Sequence, residues 1–473
     1  MAKITKQVIE NINQGGLADG RYSTSGAVQK MIGLNIHEDP GLIKVQQKTK
    51  ADYVSGDEPA GNTVAIVPAN NDFTYFFGET GVVFSRSSAG VYDELGTTSP
   101  ATLYDAVEFN GDLYYTTGST LGKYTPGAAW AARDDSFKTL GSDTFHPLIV
   151  IGNDLYVGNV NKIGKVIPGE SAGGAVTDTD ILLDDIYTIE SLGNRRNNLV
   201  IGTRAEGTTA GSFAGQSKIF EWDLTSIEWT IEQEIPEFGI SAFMELEGTM
   251  IFNAGSQGML YTWDGSNARQ FRRIPGDWTL GRRARIYKNA HSSYLGRLVF
   301  GVSFENGSPL QTGIYSLGGY DPKYPNVFNL EFVSRDGIAA ARYLSCATIN
   351  NDFLFSVSSG AVSTIDKVDT TNLYTGAYLI TKEINTNRDE AKFATIRICY
   401  RDIPTGTVIT MHANIDNADP TFAGTAIPLV TQTNKKYLES KVDISNAMSF
   451  QLKIATTAVT TQAPEIENVT IIM

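Results

Sequence analysis

The sequence predicts an all-β fold, and three observations carry the prediction. One phrase, an apolar stretch, a two-residue polar or glycine turn and a second apolar stretch, occurs seven times between Thr63 and Ser358. The copies read VAIVPANNDFTYFFG, DAVEFNGDLYYTTG, PLIVIGNDLYVGN, SLGNRRNNLVIGT, AFMELEGTMIFNAG, SSYLGRLVFGVS and CATINNDFLFSVSSG. Their turns centre on Asp72, Asp112, Asp154, Asn198, Thr249, Arg297 and Asp352, at intervals of 40, 42, 44, 51, 48 and 55 residues. A period of this length carried by hairpins is the signature of a β-propeller. The composition agrees: 46 Gly, 21 Tyr and 22 Phe among 473 residues suit many short strands joined by glycine turns.

Three regions follow in order. Residues 1–58 lack the phrase and read as an N-terminal arm, an interaction segment lying against the disc or a neighbouring copy. Within it, Ile4, Val8, Ile9 and Ile12 predict a short amphipathic helix over Lys3 to Asn13. Residues 59–375 form the propeller, each unit a hairpin followed by a third, often aromatic strand such as Leu260 to Trp263. Several units carry a fourth strand, as in Trp229 to Ile235. Seven blades are counted, with six or eight as alternatives, and the lengthening intervals place the larger loops on the later blades. Residues 376–473 carry about six alternating strands, Tyr378 to Lys382, Phe393 to Tyr400, Val408 to Ile415, Tyr437 to Ile444, Phe450 to Ala455 and Ile466 to Met473. That pattern reads as an antiparallel β-sandwich with a docked final strand.

Net charge is −14, which disfavours general nucleic-acid binding yet suits a wall past which DNA slides. Cys346 and Cys399 fall in different regions, so no disulfide framework is expected and both read as buried thiols. The segment MAKITKQVIENINQGG has no apolar core of signal-peptide length, and no run of about 18 apolar residues occurs. The expectation is a chain made in the cytoplasm, without a membrane anchor.

Catalytic, cofactor and metal residues are predicted to be none. His37, His146, His291 and His412 lack metal-ligand spacing. No HExxH, GxSxG, P-loop or CxxC is present, nor the S-x-D-x-G-x-T-W turn of sialidase-like propellers. Trp222-Asp223 and Trp263-Asp264 read as core tryptophans followed by turn aspartates. Asp178, Asp180, Asp184 and Asp185 offer oxygen ligands of the kind calcium takes, against the plainer reading of a solvated loop. No carboxylate pair stands out by spacing as a glycosidase would require. The sharpest charge feature is basic: Arg269, Arg272, Arg273, Arg282, Arg283, Arg285 and Lys288 fall within twenty residues of an acidic chain. They are assigned to a subunit or phosphate contact, with solvated strand faces as the alternative.

With Asn13-Gln14-Gly15-Gly16-Leu17 in the arm, a disc in the middle and Pro464 to Thr470 closing a terminal sandwich, the chain resembles virion structural proteins of tailed bacteriophages. The layout is similar to tail hub, nozzle and packaged-DNA-stabilisation proteins of short-tailed phages. The resemblance implies a homo-oligomeric ring in the neck or tail that guides or retains the genome. It implies contacts with portal, adaptor, fibre or spike proteins, transient passage of DNA, virion localisation, and no catalytic residues or cofactor. The alternative is a glycan- or receptor-binding propeller using Tyr92, Tyr124, Trp130, Tyr261 and Trp263 as stacking rings. A propeller glycosidase is the third reading.

Overall fold

The computed structural model describes residues 6–9, 28–37, 41–56, 59, 62–142, 145–167, 177, 179–205, 216–275, 283–305, 312–318, 326–333, 342–359, 362–386, 392–419, 421–431, 435–445 and 447–473. Each repeated phrase forms the inner hairpin of one blade, and seven antiparallel blades result. Blade one runs Thr63–Pro68, Thr74–Gly78, Val82–Arg86 and Val91–Thr97; blade two runs Leu103–Phe109, Asp112–Thr117, Thr120–Tyr124 and Asp134–Thr139. Blade three holds Leu148–Ile151, Asp154–Asn159, Lys162–Val166 and Ile181–Leu182; blade four holds Tyr187–Arg195, Asn198–Ala205, Ser217–Trp222 and Ile231–Ile235. Blade five holds Ile240–Leu246, Thr249–Ala254, Met259–Trp263 and Ala268–Arg273; blade six holds His291–Tyr294, Arg297–Glu305, Gly313–Gly318 and Val327–Phe332, with Arg283–Arg285 added on Arg297–Glu305.

The turns explain why these segments form hairpins. Asn110-Gly111, Arg196-Asn197, Glu247-Gly248, Leu295-Gly296 and Asn350-Asn351 all have positive φ at both positions. A two-residue turn of that hand matches the twist of the flanking strands. Apolar residues on both blade faces then pack against the next blade, as Phe77 does against Tyr115 at 5.9 Å between ring centroids. Each fully buried side chain of this size contributes about 1.5–3 kcal/mol.

The seventh blade corrects one boundary. Cys346–Ile349, Asp352–Ser359 and Val362–Leu373 supply three strands, and the fourth is Gln47–Ala51, which lies within residues 1–58 and so belongs to the propeller and not to the arm expected there. Lys48, Thr49, Lys50 and Ala51 pair antiparallel with Asp369, Val368, Lys367 and Asp366. An outermost strand needs no apolar alternation. What marks this one is charge complementarity, with Lys50 Nζ 3.1 Å from Asp369 Oδ1. The ring is thus closed by a strand from the opposite end of the propeller sequence.

The sandwich has two sheets. One orders Lys6–Ile9, Glu465–Ile472, Phe393–Asp402, Tyr437–Asp443 and Val430–Thr431. The other builds Lys30–Ile32, Ala377–Ile380, Ile384–Asn385 and Val408–Ile415 around the central Ser449–Thr457. Buried residues alternate along Phe393–Asp402 and Ser449–Thr457, as one-sided strands require. The amphipathic helix expected over Lys3 to Asn13 is not what forms at Lys6–Ile9, which pairs as a strand with Ile472 through Val469. A short helix is marginal in water, whereas the open edge beside Glu465–Ile472 satisfies the backbone of a β-branched segment directly. The rest of that span lies outside the described residues, as do the long later-blade connections at 206–215, 306–311 and 334–341.

The arm therefore folds into its own chain. Met31, Ile32, Leu34, Ile36, Ile43 and Val45 share one core with Phe300, Tyr315 and Phe328 of blade six and with Ile396, Ile454 and Ile471 of the sandwich. Among the described residues no helix is long and apolar enough to cross a membrane.

Candidate functional site at the disc axis

Four innermost strands carry the same irregularity. Their register with the second strand slips by one residue at Val64 in blade one, Tyr104 in blade two, Glu190 in blade four and Ser241 in blade five. A bulge re-aims the side chain of its extra residue. All four residues line a cavity of about 250 Å³ at the axis, to which every blade or the segment leading into it contributes.

Ion pairs cross this cavity. Lys288 Nζ lies 2.6 Å from Asp105 Oδ2, joining the segment before blade six to blade two on the far side of the disc. Arg285 Nη2 lies 2.6 Å from Glu190 Oε1, and Arg342 Nη1 lies 3.7 Å from Glu79 Oε2. Asp105 is buried and also accepts from Asn289 Nδ2 at 2.8 Å and from the Leu148 amide at 2.7 Å. Its carboxylate thus ties blades two and three to the segment before blade six. Glu79 and Arg342 are half-exposed and mark the mouth.

Planar groups stack along the same wall. The Phe145 ring lies 4.9 Å from the Arg204 guanidinium and 5.3 Å from that of Arg285. Tyr287 lies 5.1 Å from Arg285 and 5.5 Å from Arg342. Cation–π contacts of this kind hold the guanidinium planes in place. His146 is buried, and its Nδ1 lies 3.1 Å from the Gly158 carbonyl. A carbonyl only accepts, so Nδ1 carries the proton and Nε2 presents a lone pair in the neutral ring. His146 Nε2, Glu190 Oε2 and Arg285 Nε have no hydrogen-bond partner among the described residues.

The structure divides the seven basic residues singled out in the sequence. Arg285 and Lys288 turn into the axis. Arg269, Arg272 and Arg273 sit on the outermost strand of blade five, where Arg269 approaches Asp264 at 3.9 Å and Arg273 donates to Gln257. Arg282 and the Arg283 side chain lie outside the described residues. The five described ones therefore form no single stripe: Arg269, Arg272 and Arg273 lie on the outermost strand of blade five, while Arg285 and Lys288 line the axial cavity.

The five rings considered for glycan stacking form no platform. Tyr92, Tyr124, Tyr261 and Trp263 are buried within blades, and Trp130 packs on Tyr124 at 4.8 Å. Trp263 Nε1 donates to Glu221 Oε2 at 2.7 Å across the gap between blades four and five. Asp223 and Asp264 cap turns, each held down to about 2 by backbone hydrogen bonds, first from Ser226 and from Asn267. Asp178 lies outside the described residues; Asp180 accepts from Thr177 and Asp185 from Asn161. No three His, Cys, Asp or Glu side chains converge on a metal position among the described residues. Cys346 is buried in blade seven with its thiol pushed up by burial, while Cys399 in the sandwich is only half-buried and both are free.

No sequence motif announced the axial cluster, since its residues come one to four per repeat and are scattered from Val64 to Leu344. The one signal is a polar residue out of phase in a first strand, as Glu190 is in YTIESLG.

No family model matches the chain, and no curated protein does. Among solved structures it is similar to the β-propeller domain of Cps50 (Swd1) from Myceliophteria thermophila, at 11% identity and a TM-score of 0.48, over 68% of this chain and 100% of that one. It is similar to a chain of the mitotic checkpoint complex at 11% identity and a TM-score of 0.45, over 68% and 92%. It is also similar to the extracellular domain of the putative hybrid two component system BT4673 from B. thetaiotaomicron, at 12% identity and 0.48, over 84% and 47%. Each of these is a likeness of fold alone.

Proposed function

We propose that this chain is a non-enzymatic building block of a tailed-phage neck or tail, assembled as a ring of identical copies. The observation that supports the reading most is the braiding of its two modules. One segment of about fifty residues adds a strand to each sandwich sheet, passes through a core shared with blade six and closes blade seven. A subunit made this way transmits load between disc and sandwich without a hinge, as a part under genome pressure must. The acidic surface, at −14 overall, repels DNA and leaves its passage unimpeded. Arg269, Arg272 and Arg273 on the blade-five rim offer a positive patch to the acidic flank of a neighbouring copy. Portal, adaptor, fibre or spike proteins are the partners of such a ring, and the virion is its location.

The carboxylates at the axis fit this reading because each lies beside a cation. Native mass spectrometry of the purified chain, with imaging of labelled particles, tests the proposal. A closed ring such as a hexamer or dodecamer, associated with particles, is the expected result. A monomer absent from particles overturns it, as does substrate turnover abolished by Asp105→Asn or Glu190→Gln.

A further inference from the structure

We propose that the axial cavity binds a small, neutral, polyhydroxylated ring of single-sugar size. This site is independent of the structural role above, which needs only a rigid disc.

Four observations support it. The bulge recurs at one register in four separate blades and sends Val64, Tyr104, Glu190 and Ser241 to the same space. Packing alone gives no reason for four innermost strands to break their ladder at one level, whereas bulges gather beside binding sites. The volume, about 250 Å³, lies just below the range of about 300–1,000 Å³ that holds drug-sized ligands, so one ring fits and a chain does not. The lining is charge-balanced: Glu79, Asp105 and Glu190 face Arg342, Lys288 and Arg285. A net charge on the guest would meet an equal repulsion from one half of the wall, so a neutral guest is favoured.

The fourth observation concerns hydrogen-bonding sense. The wall interleaves acceptors (the carboxylates of Glu79, Asp105 and Glu190) with donors (Arg285, Lys288, Arg342 and Asn289). A hydroxyl donates and accepts, so adjacent hydroxyls on one ring answer both kinds, which neither a carboxylate nor an ammonium does. Leu103, Pro147 and Leu344 supply apolar wall for the C–H face of such a ring.

The test is isothermal titration of the full chain with glucose, galactose, mannose, N-acetylglucosamine, glucuronate and inorganic phosphate. Saturable binding of at least one neutral sugar, with a Kd of about 1 mM or tighter, is expected. Val64→Phe fills the cavity without touching an ion pair and should weaken that binding at least about tenfold. Hydrogen exchange on the unmodified chain gives a second readout: the sugar should slow exchange in Leu103–Phe109 and Tyr187–Arg195, independently of whether the variant folds. The proposal fails if no neutral sugar binds, if glucuronate or phosphate binds more tightly, if Val64→Phe binds undiminished, or if protection appears elsewhere in the chain.

Discussion

Replacing Asp52 with Asn should unlatch the propeller ring. Asp52 follows the closing strand Gln47–Ala51 and is fully buried. Its carboxylate receives Arg86 Nε at 2.5 Å and Nη2 at 3.1 Å, the Tyr92 hydroxyl at 2.9 Å and Lys367 Nζ at 2.6 Å. Arg86 and Tyr92 belong to blade one and Lys367 to blade seven, so one side chain joins the first blade, the last blade and the strand that closes them. Burial first, then the Asp52 charge, pushes the Tyr92 phenol up, so it stays a donor throughout the working pH range. Asn preserves the shape but removes the charge, leaving a buried guanidinium without its counter-ion. Breaking a buried pair from one side costs about 3–5 kcal/mol. A propeller of roughly 310 residues unfolds with an entropy of about 0.65 kcal/mol/K, so the melting midpoint should fall by about 5–8 °C. Calorimetry measures the shift, and hydrogen exchange should quicken first in Gln47–Ala51 and Val362–Leu373. Asp52→Leu with Arg86→Met and Tyr92→Phe should recover part of the loss, because the apolar set needs no counter-charge, while Lys367 Nζ still loses its partner. A midpoint within about 1 °C of the parent, or unchanged protection in those two strands, refutes the reasoning.

Two further outcomes follow from particular residues. Leu295 is 65% exposed and sits at φ 49°, a left-handed conformation that costs a branched side chain about 1–2 kcal/mol. Leu295→Asn should therefore raise stability by up to about 1 kcal/mol in a urea titration, with the slope unchanged. His37 is buried beside Ser316, Glu331 and Arg297, and burial holds its imidazole down to about 4. The unfolded chain binds its proton near pH 6.5, so stability falls as pH drops from 6.5 toward 4, by at most roughly 3 kcal/mol. For Glu331, burial pushes the carboxyl up, but Arg297, His37 and the hydrogen bonds from Ser316 and Asn329 together hold it below the usual range, so its own loss begins only below pH 4.5. Comparing His37→Gln with the parent between pH 4.5 and 6.5 isolates the imidazole, and parallel stability curves would refute its role.

The propeller was legible because its information is local. Asn110-Gly111 and its counterparts announce two-residue hairpins from composition alone, and the third strands and sandwich strands follow from period-two alternation. What local pattern cannot show is a strand whose partner is distant and whose faces are polar. Gln47–Ala51 pairs with a segment more than three hundred residues away and carries no apolar stripe. Lys6–Ile9 shows the same limit from the other side, since its few apolar residues suit a helix until the open edge of the sandwich is present.

The candidate site was less legible still. Arg285 and Lys288 look like members of a surface stripe in sequence, and only closure of the ring brings Glu190 and Asp105 to meet them. The sequence by itself determined the all-β class, the repeated hairpins and their turns, because alternation and turn chemistry act over a few residues, but it left the blade count between six and eight. Tertiary structure alone decided which strand closes the ring, where the arm packs and which charges face the axis. Those contacts join positions far apart in the chain, and their energy exists only once seven blades have been set around a common centre.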